Sequence, residues 1–439
     1  MNLDFPDARA LRTANDVSVE EYPRFAPVER IRSLDPIADI EHATRNALES
    51  LPLAGLSRGA SIGLTAGSRG IKDKPEVLGI LVEELVDRGY EPFVLAAMGS
   101  HGGATADGQR ETLASLGMTE ARLGCDIRSS MAVDVIDQDE SGRDVYVARD
   151  ALEADGVIVI NRIKPHTDFS GPVESGLSKM IVVGLGKHHG AESLHNAGLA
   201  GDFATVIRDR TARIIAASPI IGGIGLIEDA HEDLTHIEGV PHDQLLDREP
   251  ALLERAYEEI PTLPVDHLDI LIVDRIGKDI SGTCLDTNVL GRYRFFGSPE
   301  PSTPEITRVY ARSLTPASHG NALGVGLADF VHRDVIADID FEHTYVNIAT
   351  SGEPERAKIP FVVPDDRTAL TVMPSTVGVD ALDELRIARI ASTLDPDRLL
   401  VSEPVARELE DEADVSVGAR SALEFDGADL ESADYDLRQ

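Results

Sequence analysis

Hydrophobic positions in the first 230 residues fall into short continuous runs separated by amphipathic stretches. ASIGLTAG (60–67), EPFVLAAMG (91–99), DGVIVINRI (155–163), MIVVGLG (180–186) and PIIGGIGLIED (219–229) each read as a buried strand. Between them, the later part of SRGIKDKPEVLGILVEELVDRG (68–89), a segment from about Ala106, and Val206–Ala217 carry apolar residues at helical spacing. Strands covered on both faces lose the in–out alternation and become continuous Val/Ile/Leu runs. The pattern therefore predicts an α/β architecture with a largely parallel sheet flanked by helices. Around Pro261–Pro264 the pattern resets. LDILIVDRIG (268–277) opens a second unit that runs through TYVNIAT, IPFVVP and ALTVMP to a helix near Val379–Ala391. The expected organisation is an N-terminal α/β domain over 1–260 and a C-terminal α/β domain over 261–410 that closes an interdomain cleft holding the active site. An acidic tail over 411–439 is expected to be partly disordered.

In open parallel sheets, ligands bind beyond the carboxyl ends of the strands. The polar glycine-rich stretches fall there: TAGSRG (65–70), MGSHGGAT (98–105) and NRIKPH (161–166). Composition sharpens this coincidence. The net charge is −36, yet Asn161–Gly198 holds four of the thirteen histidines and three lysines. The chain has seven lysines, and six of them lie in or beside the glycine-, serine- and histidine-rich segments. The acidic, lysine-poor surface reads as halophilic, or as the imprint of a genome that writes Arg for Lys. Either pressure removes dispensable lysines. The negative charge argues against nucleic acid and anionic membranes as partners. No run of 18 apolar residues and no secretory signal is present, so a cytoplasmic location is expected. Two cysteines, Cys125 and Cys284, are too few for a disulfide framework or a cysteine metal cage.

The individual segments suggest chemistry. Thr65 and Ser68 offer hydroxyls and Arg69 a guanidinium, a set suited to a phosphate or carboxylate, although an ordinary capped turn reads equally simply. His101, between glycines, is a candidate acid–base group against the alternative of a loop histidine tied to backbone. His188 and His189 are adjacent, so at most one of them faces a common site. In the second unit, Lys278 and Arg292 follow an apolar strand and are candidates to hold an anionic substrate. The motifs H-E-x-x-H, G-x-S-x-G and G-x-x-x-x-G-K-[ST] are absent.

Taken together, Lys179, His195 sixteen residues later, His101 in GSHGG and His166 in KPH resemble the lactate racemase family, whose members use a nickel-pincer nucleotide. The resemblance covers most of 60–200 and, more loosely, 265–295. It implies a cofactor joined covalently to Lys179, with His195 as metal ligand and His101 and His166 as catalytic acid and base. Thr65, Ser68, Gly184 and Gly186 would contact the cofactor, and Arg69 with Lys278 or Arg292 the substrate. The implied reaction is racemisation or epimerisation of a 2-hydroxy acid by reversible hydride transfer through a 2-keto acid. The implied partners are the small-molecule substrate and the cofactor-synthesis enzymes of the host, and a homo-oligomer is left open. The turn TAGSRG departs from the family by keeping an arginine and lacking its acid, and the segment between His166 and Lys179 is longer. Two other readings are carried: a zinc hydrolase built on His101, His166 and His195, and a non-catalytic nucleotide- or carboxylate-binding protein.

Overall fold

The computed structural model describes residues 5–13, 17–32, 35–68, 70–198, 202–351, 353–433 and 435. The chain divides into two compact units, Leu34–Ile260 and Met1–Ser33 with Pro261–Gln439. The first 33 residues were expected in the N-terminal domain. Instead, strand β1 (Phe25–Arg30) pairs antiparallel with β15 (Arg398–Ser402) and β16 (Val415–Val417) of the other unit. A strand of six residues carries no sign in its own pattern of which sheet it will join.

In the unit 34–260, the strands are β2 (Ser61–Ala66), β3 (Glu91–Ala96), β4 (Ile127–Arg128), β7 (Gly156–Arg162), β8 (Ile220–Glu228) and β9 (Leu234–Pro241). A separate hairpin joins β5 (Val133–Gln138) and β6 (Asp144–Ala148). The sheet order is β4-β3-β2-β7-β8-β9, parallel except for the hairpin partner β9. All nine residues of β8 are buried, as a central strand covered on both faces requires. The helix Lys74–Asp87 starts with Pro75 in its first turn and buries Val77, Leu78, Leu81, Val82 and Leu85 against Leu64, Val94 and Ile158. The helices Ala106–Ser115 and Phe203–Ala217 begin at Thr105 and Asp202, whose side chains accept backbone N–H groups of the first turn.

One strand expectation fails. MIVVGLG (180–186) is helical: Leu177–Lys179 runs into a wide turn at Met180–Gly184, where Leu185 N bonds Met180 O at 3.0 Å. A short apolar run has no period of its own, so burial alone does not separate strand from buried helix. Such i→i+5 turns recur at functional sites.

The other unit has the sheet order β13-β12-β11-β10-β14-β15-β1-β16. Here β10 (His267–Val273), β11 (Glu305–Ala311), β12 (Phe330–His332), β13 (Phe361–Val363) and β14 (Ile387–Ile390) are parallel. Along β10, Leu271 and Val273 enter one core while Ile270 and Ile272 enter the core on the opposite face. The helix expected near Val379–Ala391 is instead a short turn at Leu382–Glu384 followed by β14. The Ile387–Ile390 run is claimed by ladders to β10 and β15, and tertiary pairing overrides its local spacing. The tail, expected to be partly disordered, contributes β16 and a hairpin of β17 (Phe425–Asp426) and β18 (Asp429–Leu430), with Leu430 buried. Its apolar residues are too sparse to register as a pattern, yet Val415, Val417, Leu423 and Phe425 pack against that unit's cores.

Close approach constrains β9. A Cβ on Gly239 would stand 1.8 Å from Ala47 O in the helix Ile40–Glu49. Gly239→Ala is therefore expected to lower stability by about 3 kcal/mol, read as a fall in the urea midpoint. An unchanged midpoint refutes the packing account.

Candidate active site

The order β3-β2-β7 marks the point where the connection reverses: β3 lies on one side of β2 and β7 on the other. Ligands bind at such a switch point. The loops leaving β2, β3 and β7 carry Ser68, His101 and His166. Gly67 and Gly99 let the first two loops pack on the lysine-bearing turn. A Cβ at Gly67 would meet Met180 at 2.9 Å, and one at Gly99 would meet Val183 at 3.0 Å.

Two pairs form. Ser68 Oγ hydrogen-bonds His101 Nδ1. Lys179 Nζ lies against His166 Nε2. His166 Nδ1 accepts the backbone N–H of Asp168 at 3.1 Å, so a neutral ring carries its proton on Nε2. The imidazole is held on the other side by Phe169, stacked at 4.6 Å between centroids, and Phe169 stacks in turn on Phe203 at 5.1 Å.

Two buried carboxylates support this arrangement, and sequence reasoning gave neither a role in the site. Glu174 accepts the backbone N–H of His166 at 2.6 Å, that of Gly171 at 2.9 Å and the Tyr257 hydroxyl at 2.8 Å. Burial nevertheless pushes its carboxyl above the usual range. Glu249, on the helix Leu245–Glu259, accepts Ser178 N–H at 3.0 Å and the Ser178 hydroxyl, at the start of the turn that presents Lys179. Gly176 makes room for it, since a Cβ there would stand 2.0 Å from Glu249 Oε1. Burial raises Glu249 to about 7 against its hydrogen bonds. The only trace of this in the sequence is a glutamate in the apolar stripe of an amphipathic helix.

Two lysines are fully buried. Lys187 donates to Ala96 O and to Gln109 Oε1, and Gln109 Nε2 bonds Gly99 O at 2.9 Å and His101 O at 3.4 Å. This ties the His101 loop to the start of the helix Lys187–Gly198, and burial lowers Lys187 to about 8. Lys74 bonds Ile160 O at 3.2 Å and is lowered to about 7, first by burial and then by Arg162.

Other expected residues are placed elsewhere or engaged otherwise. The buried Thr65 hydroxyl joins β2 to β7, accepting Ile160 N–H at 2.8 Å. Gly184 and Gly186 are close-packing positions, where a Cβ would meet Met180 Sδ and Val182 O, each at 2.3 Å. His188 and His189 are exposed, and His189 stacks on Tyr146 beside a cavity of about 530 Å³. In the other unit, Lys278 Nζ donates to Gly282 O. Arg292 is taken up by Asp329 at 2.8 Å and Leu327 O at 3.1 Å, so its guanidinium serves that unit's packing. Arg69 and the side chain of His195 lie outside the described residues. Among the described residues, no three His, Cys, Asp or Glu side chains converge as a metal cage.

Comparison with known proteins agrees with the sequence resemblance. Residues 25–205 match the lactate racemase N-terminal domain family. The fold is similar to that of the lactate racemase apoprotein from Thermoanaerobacterium thermosaccharolyticum, with a TM-score of 0.51 at 15% identity over 87% of this chain and 95% of that one. No curated protein matches the chain. Among the described residues, no helix is long and apolar enough to cross a membrane.

The Glu249 clamp has a pH signature. Its folded value of about 7 lies above the ordinary 4.5, so between those values the folded chain keeps a proton that the unfolded chain has released. Stability from this group is complete below pH 4.5 and is lost as pH rises to about 7. Glu249→Gln is expected to remove up to about 3 kcal/mol from the difference in unfolding free energy between those pH values, measured by urea titration. An unchanged slope sinks the assignment.

Proposed function

We propose that this chain is a racemase or epimerase of a 2-hydroxy acid that works with a nickel-pincer nucleotide joined to Lys179. The observation that carries the reading is the contact between Lys179 Nζ and His166 Nε2 beside the loops that leave the strand reversal. The match of residues 25–205 to the lactate racemase N-terminal domain supports it independently.

The residues at hand fit such a group. The glycines at 67 and 99 keep the loops close to the turn that follows Lys179, and the buried Glu249 fixes where that turn begins. His195, on the helix Lys187–Gly198, would be the protein ligand to nickel. Both cysteines are remote in character: Cys284 is buried in the other unit and Cys125 is a half-buried thiol raised by burial. Sulfur donors to the metal would therefore belong to the cofactor. When bound, the group supplies a reversible acceptor for hydride, which a histidine cannot replace because the α-hydrogen of a hydroxy acid is far too weakly acidic.

The chain's own side chains handle the proton and the orientation. His101 and His166 are the imidazoles that would take the substrate hydroxyl proton and return it. Two such groups on different loops suit a reaction that runs in both stereochemical senses. Ser68 holds the His101 ring from Nδ1, and Glu174 holds the backbone of His166. Phe169 and Phe203 form an apolar wall beside His166 that keeps water from one side of the ring. Lys187, through Gln109, fixes the backbone of His101.

Lys179→Ala is expected to abolish covalent attachment. Intact mass of the chain co-expressed with the cofactor-making enzymes should show an adduct on the unaltered protein and none on the variant; the same adduct on both refutes the attachment point. The reaction itself is tested by a chiral screen of 2-hydroxy acids and aldonates with loaded protein in high salt, with interconversion of at least one pair of stereoisomers expected.

A further inference from the structure

The helix Lys187–Gly198 and the hairpin β5–β6 enclose a cavity of about 530 Å³ that the proposed reaction does not use. On the helix its lining falls at His189, Glu192, Ser193 and Asn196, one stripe at i, i+3, i+4 and i+7. Position 195 is not on that period. From the hairpin come Arg143, Asp144 and Tyr146 among others. His189 and Tyr146 stack with centroids 5.4 Å apart and planes at 30°. One ring comes from each wall, and both line the cavity.

The walls are held in place by the chain itself. Asp139 Oδ1 accepts the backbone N–H of Ser141 at 3.0 Å and of Arg143 at 2.9 Å, and its Oδ2 accepts the buried Arg210 guanidinium at 2.6 Å. These bonds fix the turn that carries Arg143. Ser193 Oγ donates to Asp144 O at 3.3 Å and ties the helix to the hairpin. Asp144 is engaged further, since its carboxylate accepts Gln138 Nε2 at 3.0 Å and the Tyr146 hydroxyl at 3.5 Å. Other lining groups keep their capacity. Among the described residues, the exposed Glu192 carboxylate and Asn196 amide have no hydrogen-bond or ion-pair partner, and Arg143 uses only Nη1, on Ser141 Oγ at 2.9 Å.

We infer that this cavity binds a neutral saccharide of disaccharide size. The wall carries both signs of charge, Arg143 against Glu192 and Asp144, so it matches neither an anion nor a cation, and the net charge of −36 opposes an anion further. A metal ion would find Glu192 as its one unengaged carboxylate here, and among the described residues no three ligand side chains converge. A wholly apolar ligand would take water from a guanidinium, a carboxylate and an amide and return nothing. A sugar answers each group. Its hydroxyls accept from Arg143, donate to Glu192 and do both with Asn196, and its C–H faces pack on the ring surface of Tyr146 and His189. The volume lies within the range of roughly 300–1,000 Å³ usual for small-molecule sites.

The test is calorimetric and ligand-detected NMR titration of the full chain with maltose and with cellobiose. Adenosine and glycine betaine serve as controls for a stacked base and a zwitterion. Saturable binding of at least one disaccharide is expected. It should weaken about tenfold in Glu192→Gln, where a charge-assisted hydrogen bond becomes a neutral one, and at least as much in Tyr146→Ala. Glu192 is exposed, so its variant keeps the test readable if Tyr146→Ala fails to fold. No nickel cofactor is needed, so failure here is distinct from failure of the attachment at Lys179. Three results overturn the inference: no binding of either disaccharide, disaccharide binding indifferent to both variants, or adenosine or betaine binding that the variants abolish while the sugars do not bind.

Discussion

A parallel sheet covered on both faces has nowhere to put polar side chains except beyond the ends of its strands. That constraint organises this protein. The residues of β8 are buried along their whole length, and the strands beside it are nearly so. Many of the groups able to donate, accept or carry charge lie in the loops, and the reversal between β3, β2 and β7 brings three of those loops to one end of the sheet. The chemistry sits there because the sheet excludes it elsewhere.

Placement alone does not fix a lysine or an imidazole in a usable state. Buried groups behind the loops do that. Glu249 and Glu174 are dehydrated carboxylates that bond backbone amides, so they act on where the chain runs and leave the charge balance at the reacting groups almost untouched. Lys187 acts in the same way from the opposite sign, through Gln109. The His166 ring is oriented in turn by the backbone amide of Asp168, which donates to Nδ1.

The sequence made the α/β pattern legible because period and burial are local properties. Four of the five parallel strands near 61–228 (β2, β3, β7 and β8) follow from runs of apolar residues, whereas the two-residue β4 leaves no such run. His101, His166 and Lys179 stand out in the sequence because lysine is rare here and the histidines flank or lie in glycine-rich segments. What escaped was non-local. The apolar turn at Met180–Gly184 looks like a strand until Ser178 and Glu249, 71 residues apart, are seen to meet. Thr65 reads as a ligand to an anion until its hydroxyl is found bridging two strands. Gly184 and Gly186 read as cofactor contacts until their neighbours leave no room for a side chain. Arg292 follows the same rule, because its partner Asp329 lies 37 residues on.

The pairing of β1 with β15 and β16 makes the unit 34–260 an insertion between the first strand and the remainder of the second unit. A ribosome releases all of residues 34–260 before it releases β15 and β16. The earlier unit can therefore complete its core during synthesis, while β1 waits with unsatisfied edges for partners more than 360 residues downstream. A fragment beginning at residue 261 would leave β15 and β16 without the strand that separates them, exposing two edges to any other extended chain. The two units are thus separable in packing but not by a single cut of the gene.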